Sequence, residues 1–209
     1  QSHVAENLDE IAWVRTLYPH ARSYLDVYDD FGLLRPRSIY AHCIHLDAAD
    51  RALMQARGAA AAIRPTGNLC LGSGFYDFAK GDAAGMAQGL ASDVGGGTSF
   101  SPFHTMLAAY YVGREQMGKT GVSLQPQKLW WLHTAGAAQA MGLGGVVGNL
   151  AAGAEADFVL LNPQATPLLA HQTARAQSLD ELLFTMIVLG DDRLVEQVYI
   201  NGAPTSALS

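Results

Sequence analysis

The chain has 209 residues, 49% of them hydrophobic and 15% charged, with a formal net charge of -6. That is enough apolar sequence for a buried core, while the acidic balance and the lack of a basic stripe exclude nucleic acid and anionic membrane as expected partners and leave a small molecule or another protein. The two cysteines, Cys43 and Cys70, form no CxxC pair and no run approaches the ~20 apolar residues of a membrane span, so a soluble, cytoplasmic protein without a disulfide framework is expected.

In chain order, apolar spacing at Leu8, Ile11, Ala12 and Leu17 predicts a helix from Asn7 to Tyr18, and a second short helix follows from Ser23 to Phe31 before the break at Pro36. A β-rich run, Ser38-Ile39-Tyr40-Ala41-His42, closes on an imidazole. Asp47 caps an expected helix from Ala48 to Arg57, with Gly58 as its stop, and a strand at Ala59–Ile63 is halted by Pro65. Residues 66–85 read as a Gly-rich loop, a flap over a site. Met86–Asp93 reads as a strand, Pro102–Gln116 as a helix, and Gln125–Met141 as the longest helical stretch, with Pro126 in its first turn. After Gly142 the texture changes to two β-rich stretches, Ala156–Asn162 and Val195–Gly202.

Strand, helix, strand order implies a parallel sheet, because parallel neighbours need a crossover. The fold class expected is α/β, a partial TIM-like (β/α) barrel over residues 1–142, with a small β-rich segment and a return helix over 143–209. A whole eight-stranded barrel takes about 250 residues, so this chain is expected to be the C-terminal part of a longer protein. A partial barrel leaves sheet edges unpaired, which favours a homo-oligomer such as a dimer, or pairing with a separate N-terminal piece.

Chemistry-bearing residues fall where the strands end. Asp93 closes an apolar run and is followed, after Val94, by three glycines, His42 ends the β-rich run from Ser38, and His3 and Glu6 stand at the start of the chain. Strand ends converging on one face are where α/β barrels keep their chemistry.

Longer segments carry a family likeness. Gln-Ser-His-Val-Ala-Glu-Asn at 1–7, Ser-Tyr-Leu-Asp-Val-Tyr-Asp at 23–29, Ala-His-Cys-Ile-His-Leu at 41–46, Pro-Thr-Gly-Asn-Leu-Cys-Leu-Gly-Ser-Gly at 65–74 and Ser-Asp-Val-Gly-Gly-Gly-Thr-Ser-Phe-Ser at 92–101 resemble the amidohydrolase superfamily, and within it most closely the bacterial guanine deaminases. The run Gly148-Asn149-Leu150 to Ala156-Asp157-Phe158 resembles the general superfamily tail. The likeness implies a zinc-dependent hydrolysis of guanine to xanthine and ammonia, with a purine as small-molecule substrate. It implies that His3 and Asp93 hold one zinc ion, that Asp93 also takes the proton of the attacking water, and that Glu6 carries protons to the ring and the leaving amine. By the same likeness His42 stabilises the hydroxide and the developing charge, and His45 is a substrate-contact candidate. Imidazole and carboxylate are donors that suit zinc, and a catalytic site keeps one position open for water.

Three departures accompany the likeness. The early HxH pair that supplies further zinc ligands in such enzymes does not occur in these 209 residues. Ile63-Arg64 stands where a His-Cys or Phe-Cys pair is usual, placing a cation beside an expected metal site, and Gly67 stands where Ser is usual. A non-catalytic binding or assembly domain with the same fold is the alternative. Gly113-Arg114-Glu115-Gln116-Met117-Gly118-Lys119-Thr120 also satisfies the phosphate-loop pattern, but a helical stretch precedes it and Gly121 follows the Lys, the wrong setting for a loop that opens a helix.

Overall fold

A computed structural model describes residues 1–115 and 122–205. Four strands, β1 (Ser2–Val4), β2 (Ile39–His42), β3 (Ala60–Ile63) and β4 (Ala87–Leu90), form one parallel sheet in the order β1-β2-β3-β4. Strand order that follows chain order without a reversal is the arrangement of a barrel wall, whereas a doubly wound sheet reverses at a switch point. The expected partial barrel is therefore what the chain forms.

The crossovers are helical. After β1 come α1 (Leu8–Leu17), capped by the Asn7 side chain on the Glu10 amide, and α2 (Tyr24–Asp30), capped by Ser23 on the Asp26 amide. Helix α3 (Ala48–Arg57) has the bounds that its sequence predicts: Asp47 and Asp50 cap each other's backbone reciprocally at the start, and Gly58 ends it at φ +67°, a left-handed conformation that costs Gly little. Arg22 ties this start down by pairing with Asp26, Asp47 and the buried Asp50.

The expected flap over 66–85 is not a loop. It contains α4 (Pro65–Leu71) and α5 (Phe78–Ala83). Glycine content hid them, yet Pro65 at the first helical position, the left-handed Gly72 at the C-cap of α4 and Asp77 capping the Lys80 amide are ordinary helix-terminus chemistry. Strand β4 ends at Leu90, so Asp93 lies in the turn beyond it.

Helix α6 (Pro102–Glu115) matches its expectation, whereas the single helix foreseen at Gln125–Met141 is two, α7 (Pro126–His133) and α8 (Ala135–Ala140). Thr134, at φ −125° and ψ −100°, breaks the ladder, and its hydroxyl is bonded to the Trp130 carbonyl. The break lets α8 reach the sheet, where the Ala137 backbone lies so close to Gly89 that a Cβ there would collide with it. Gly113 and Arg114 of the phosphate-loop pattern lie in the last turn of α6, the reverse of a loop that opens a helix; Gln116 to Thr120 fall outside the described residues. Trp130 and Tyr110 pack against the core, but Trp131 and Tyr111 are exposed.

The C-terminal segment forms an antiparallel sheet from β5 (Phe158–Leu161), β6 (Val195–Ile200) and β7 (Ala203–Pro204), with Phe158 stacked on Tyr199. Between β5 and β6 run α9 (Pro167–Thr173) and α10 (Leu179–Leu189), and α10 returns to pack on α6 and α7, where Phe184 meets Tyr110 and the Leu183 carbonyl accepts from Trp130. No helix among the described residues is long and apolar enough to cross a membrane.

Side chains alternate along each strand. Val4, Ile63 and Leu90, with Tyr40 and Ala61, belong to the buried core together with Leu25, Met54, Leu129 and Leu132. The opposite row, His3, Ala41, Ala62 and Gly89, lines a cavity of about 530 Å³ that α8 borders. Small residues in that row leave the space beneath the site open.

His133, which also borders this cavity, bonds to the Leu90 carbonyl, and burial lowers its pKa while that bond opposes the shift. A histidine whose pKa is lower folded than unfolded binds fewer protons when folded, so its contribution is intact above its ordinary value and is lost as pH falls below it. His133→Asn should therefore show a smaller fall in melting temperature than the parent between about pH 7.5 and about pH 5.5. Equal falls would mean that His133 does not contribute to acid sensitivity.

Candidate active site

All four parallel strands end at one edge, and the residues just past those ends gather there. His3 is in β1 and Glu6 follows it; His42 is the last residue of β2; Arg64 follows β3; Asp93 follows β4. Strand alternation alone would aim His42 toward the helix side with Tyr40. The backbone instead turns left-handed at His42 (φ +68°) and Cys43 (φ +54°), and the imidazole comes to lie with its ring centroid 5.2 Å from that of His3. Ala5 (φ +50°), just before Glu6, and Asp93 (φ +56°) adopt the same sparsely populated conformation. Non-glycine residues held there store strain of the kind that collects at functional sites.

His3, His42 and Asp93 each offer one ligand atom, and these atoms lie within 4.8 Å of one another. Two imidazoles and a carboxylate so close together match the donor chemistry of zinc. Cys43 does not join them: burial pushes its thiol up to about 12, and its Sγ donates to the Tyr40 carbonyl.

Helix α4 and its flanks touch every member of this group. His42 Nδ1 lies 2.7 Å from Asn68 Oδ1 with both residues buried, so Nδ1 donates to the amide oxygen and the ring is oriented with Nε2 toward the site. Glu6 Oε2 lies 3.5 Å from that Nε2, and Ser73 Oγ donates to Glu6 Oε1 at 2.8 Å. The Glu6 amide in turn donates to Glu10 of α1. Thr66 donates to the Ser92 carbonyl, one residue before Asp93, and a Cβ on Gly67 would collide with Asp93 Oδ2, so only glycine lets that carboxylate lie against α4.

Arg64 is the addition that its sequence position warned of. Its Nη1 lies 2.5 Å from Asp93 Oδ1 and 3.1 Å from His3 Nε2, with the side chains of Arg64 and Asp93 only 20% and 13% exposed. The cation thus meets a compensating carboxylate. His45 stands apart from the ligand group; its Nε2 lies 3.1 Å from the Ser73 carbonyl, which connects it to the Glu6 side of the site.

The site thus brings together four of the five residues expected from sequence, and joins His45 to them through Ser73. Asn68 and Ser73 escaped notice as site residues. Their signal was in the Pro-Thr-Gly-Asn and Leu-Gly-Ser-Gly segments, which the sequence marks as family likeness without showing that they support His42 and Glu6.

A parallel barrel wall whose strand ends bring imidazoles and carboxylates together is the (β/α)-barrel arrangement in which chemistry sits at the strand ends. The Amidohydrolase family matches residues 1–204, and the chain belongs to it. Among curated relatives, the guanine deaminase of Escherichia coli (strain K12) is 39% identical over 201 residues, covering 96% of this chain and 45% of that protein. The probable guanine deaminase of Deinococcus radiodurans is 40% identical, again over 96% of this chain and 46% of its own length. The chain therefore spans about half the length of the curated relatives it matches. In solved structures, E. coli guanine deaminase superposes with a TM-score of 0.93 at 38% identity, over 99% of this chain and 47% of that one. The C. acetobutylicum guanine deaminase with bound guanine gives 0.87 at 30% identity, over 99% and 48%.

Removing the Asn68 side chain leaves the buried His42 Nδ1–H without an acceptor. Asn68→Ala should cost about 1–3 kcal/mol in urea unfolding, and a loss below about 0.5 kcal/mol would show that the ring does not depend on it.

Proposed function

We propose that this chain carries the larger share of the active site of a zinc-dependent guanine deaminase, which hydrolyses guanine to xanthine and ammonia. The observation that carries the reading is the convergence of His3, His42 and Asp93 within ligand distance, with Glu6 beside His42. The guanine deaminases among its relatives, one of them solved with guanine bound, support the choice of substrate.

The residues divide the work. His3 and Asp93 would hold one zinc ion, with His42 beside them. When bound, zinc supplies the Lewis acidity that makes water a nucleophile near neutral pH. Asp93, acceptor-only when ionised, takes a proton from the attacking water. His42, with Nδ1 committed to Asn68, offers the Nε2 lone pair to orient that water. Glu6 has one oxygen held by Ser73 and the other turned toward His42, so it can collect a proton at Oε2 and deliver it to the ring and the leaving amine. His45, tied to the Ser73 carbonyl, lies on the side where a purine would be contacted. We further take the protein to be cytoplasmic and a homo-oligomer. The division at about residue 142 into barrel and β-rich segment is part of the same proposal.

A second reading has an observation in its favour. Arg64 stands between His3 and Asp93, which suits a domain that keeps the fold and does no chemistry.

Elemental analysis should find about one zinc per chain, lost in Asp93→Asn. Xanthine and ammonia release from guanine should fall about 10²–10⁴-fold in Glu6→Gln with folding retained. Zinc-loaded protein that releases no xanthine would favour the non-catalytic reading.

A further inference from the structure

We infer that Arg64 is a built-in competitor for the metal, a guanidinium that occupies His3 and Asp93 and must move aside before a divalent cation can bind. The inference rests on the metal reading above. A guanidinium nitrogen only donates hydrogen bonds, and Nη1 is directed at His3 Nε2 at 3.1 Å and Asp93 Oδ1 at 2.5 Å. His3 and Asp93 are also two of the three residues grouped closely enough to hold a metal ion. A divalent ion held by these side chains would have to compete with the guanidinium for them, and two cations brought so close repel each other.

The other surroundings of Arg64 point the same way. Its Nε is buried without a hydrogen-bond partner, so its present position satisfies the group incompletely. It borders the cavity of about 530 Å³ lined by Ala41, Ala62, Gly89 and Met141, which offers room for the side chain once displaced. Gly67 completes the arrangement, because the Asp93 carboxylate lies where any Cβ at that position would be. Arginine stays protonated throughout the working pH range, so the competing group remains a cation whether or not metal is present.

The test is zinc affinity, read by competition with a chromophoric chelator, together with melting temperature in chelated buffer. Arg64→Gln and Arg64→Met should bind Zn²⁺ roughly tenfold to a hundredfold more tightly than the parent chain. Both should also melt at lower temperature when metal is chelated, since His3 and Asp93 lose their partner. Arg57→Gln, which removes only the exposed pair with Asp29, should leave zinc affinity unchanged. Zinc binding by the Arg64 variants alone is the same result in stronger form. If the parent binds zinc in an Asp93-dependent way and the variants bind no more tightly, the competitor role is overturned and the metal site stands. If neither parent nor variants show Asp93-dependent zinc binding, both readings fall.

Discussion

Parallel hydrogen bonding between four strands in chain order is the constraint from which the site follows. It places the ends of β1, β2, β3 and β4 on one edge, so residues separated by up to ninety positions in sequence become neighbours. The sheet gives proximity without aim, because alternation along β2 would turn His42 toward the helices. Left-handed backbone at Ala5, His42, Cys43 and Asp93 supplies the aim, at a cost on the order of 1–3 kcal/mol for each such residue. The packed layer of Val4, Tyr40, Ile63 and Leu90 against the helices is what can sustain that strain.

Helix α4 is the second determinant. Within one short segment, Asn68 accepts from His42, Ser73 holds one oxygen of Glu6, Thr66 anchors the residue before Asp93, and Gly67 admits the Asp93 carboxylate. Together these residues act at three strand ends, those of β1, β2 and β4. A change in the pitch or placement of α4 would therefore move the His42 imidazole and the Glu6 and Asp93 carboxylates together. Such supports fix the orientation and basicity of metal ligands as surely as the ligands themselves do.

Arg64 shows how one departure from a family pattern reorganises a site. A single guanidinium pairs with Asp93 and hydrogen-bonds to His3, joining two strand ends in one neutralised contact. The same contact that stabilises this cluster stands against a metal at the same point. Stability and chemistry are set against each other there, which is the usual tension of an active site.

Local signals in the sequence determined much of the fold: the Asp47 cap and Gly58 stop bounded α3, the β-rich runs located β2, β3 and β5, and strand-helix alternation implied the parallel sheet. It also named His3, Glu6, His42 and Asp93, because chemistry-bearing residues at strand ends are visible along the chain. Helices α4 and α5 were hidden by glycines that serve close packing and helix ends, and the break at Thr134 was hidden within an unbroken helical pattern. Only the tertiary structure decided that Asn68 meets His42, that Ser73 meets Glu6 and that Arg64 lies between His3 and Asp93. These contacts join segments 26, 67, 61 and 29 residues apart. Capping and periodicity are interactions within a turn or two of chain, whereas the direction of a side chain across a barrel mouth depends on strand register and on backbone strain that no local pattern encodes.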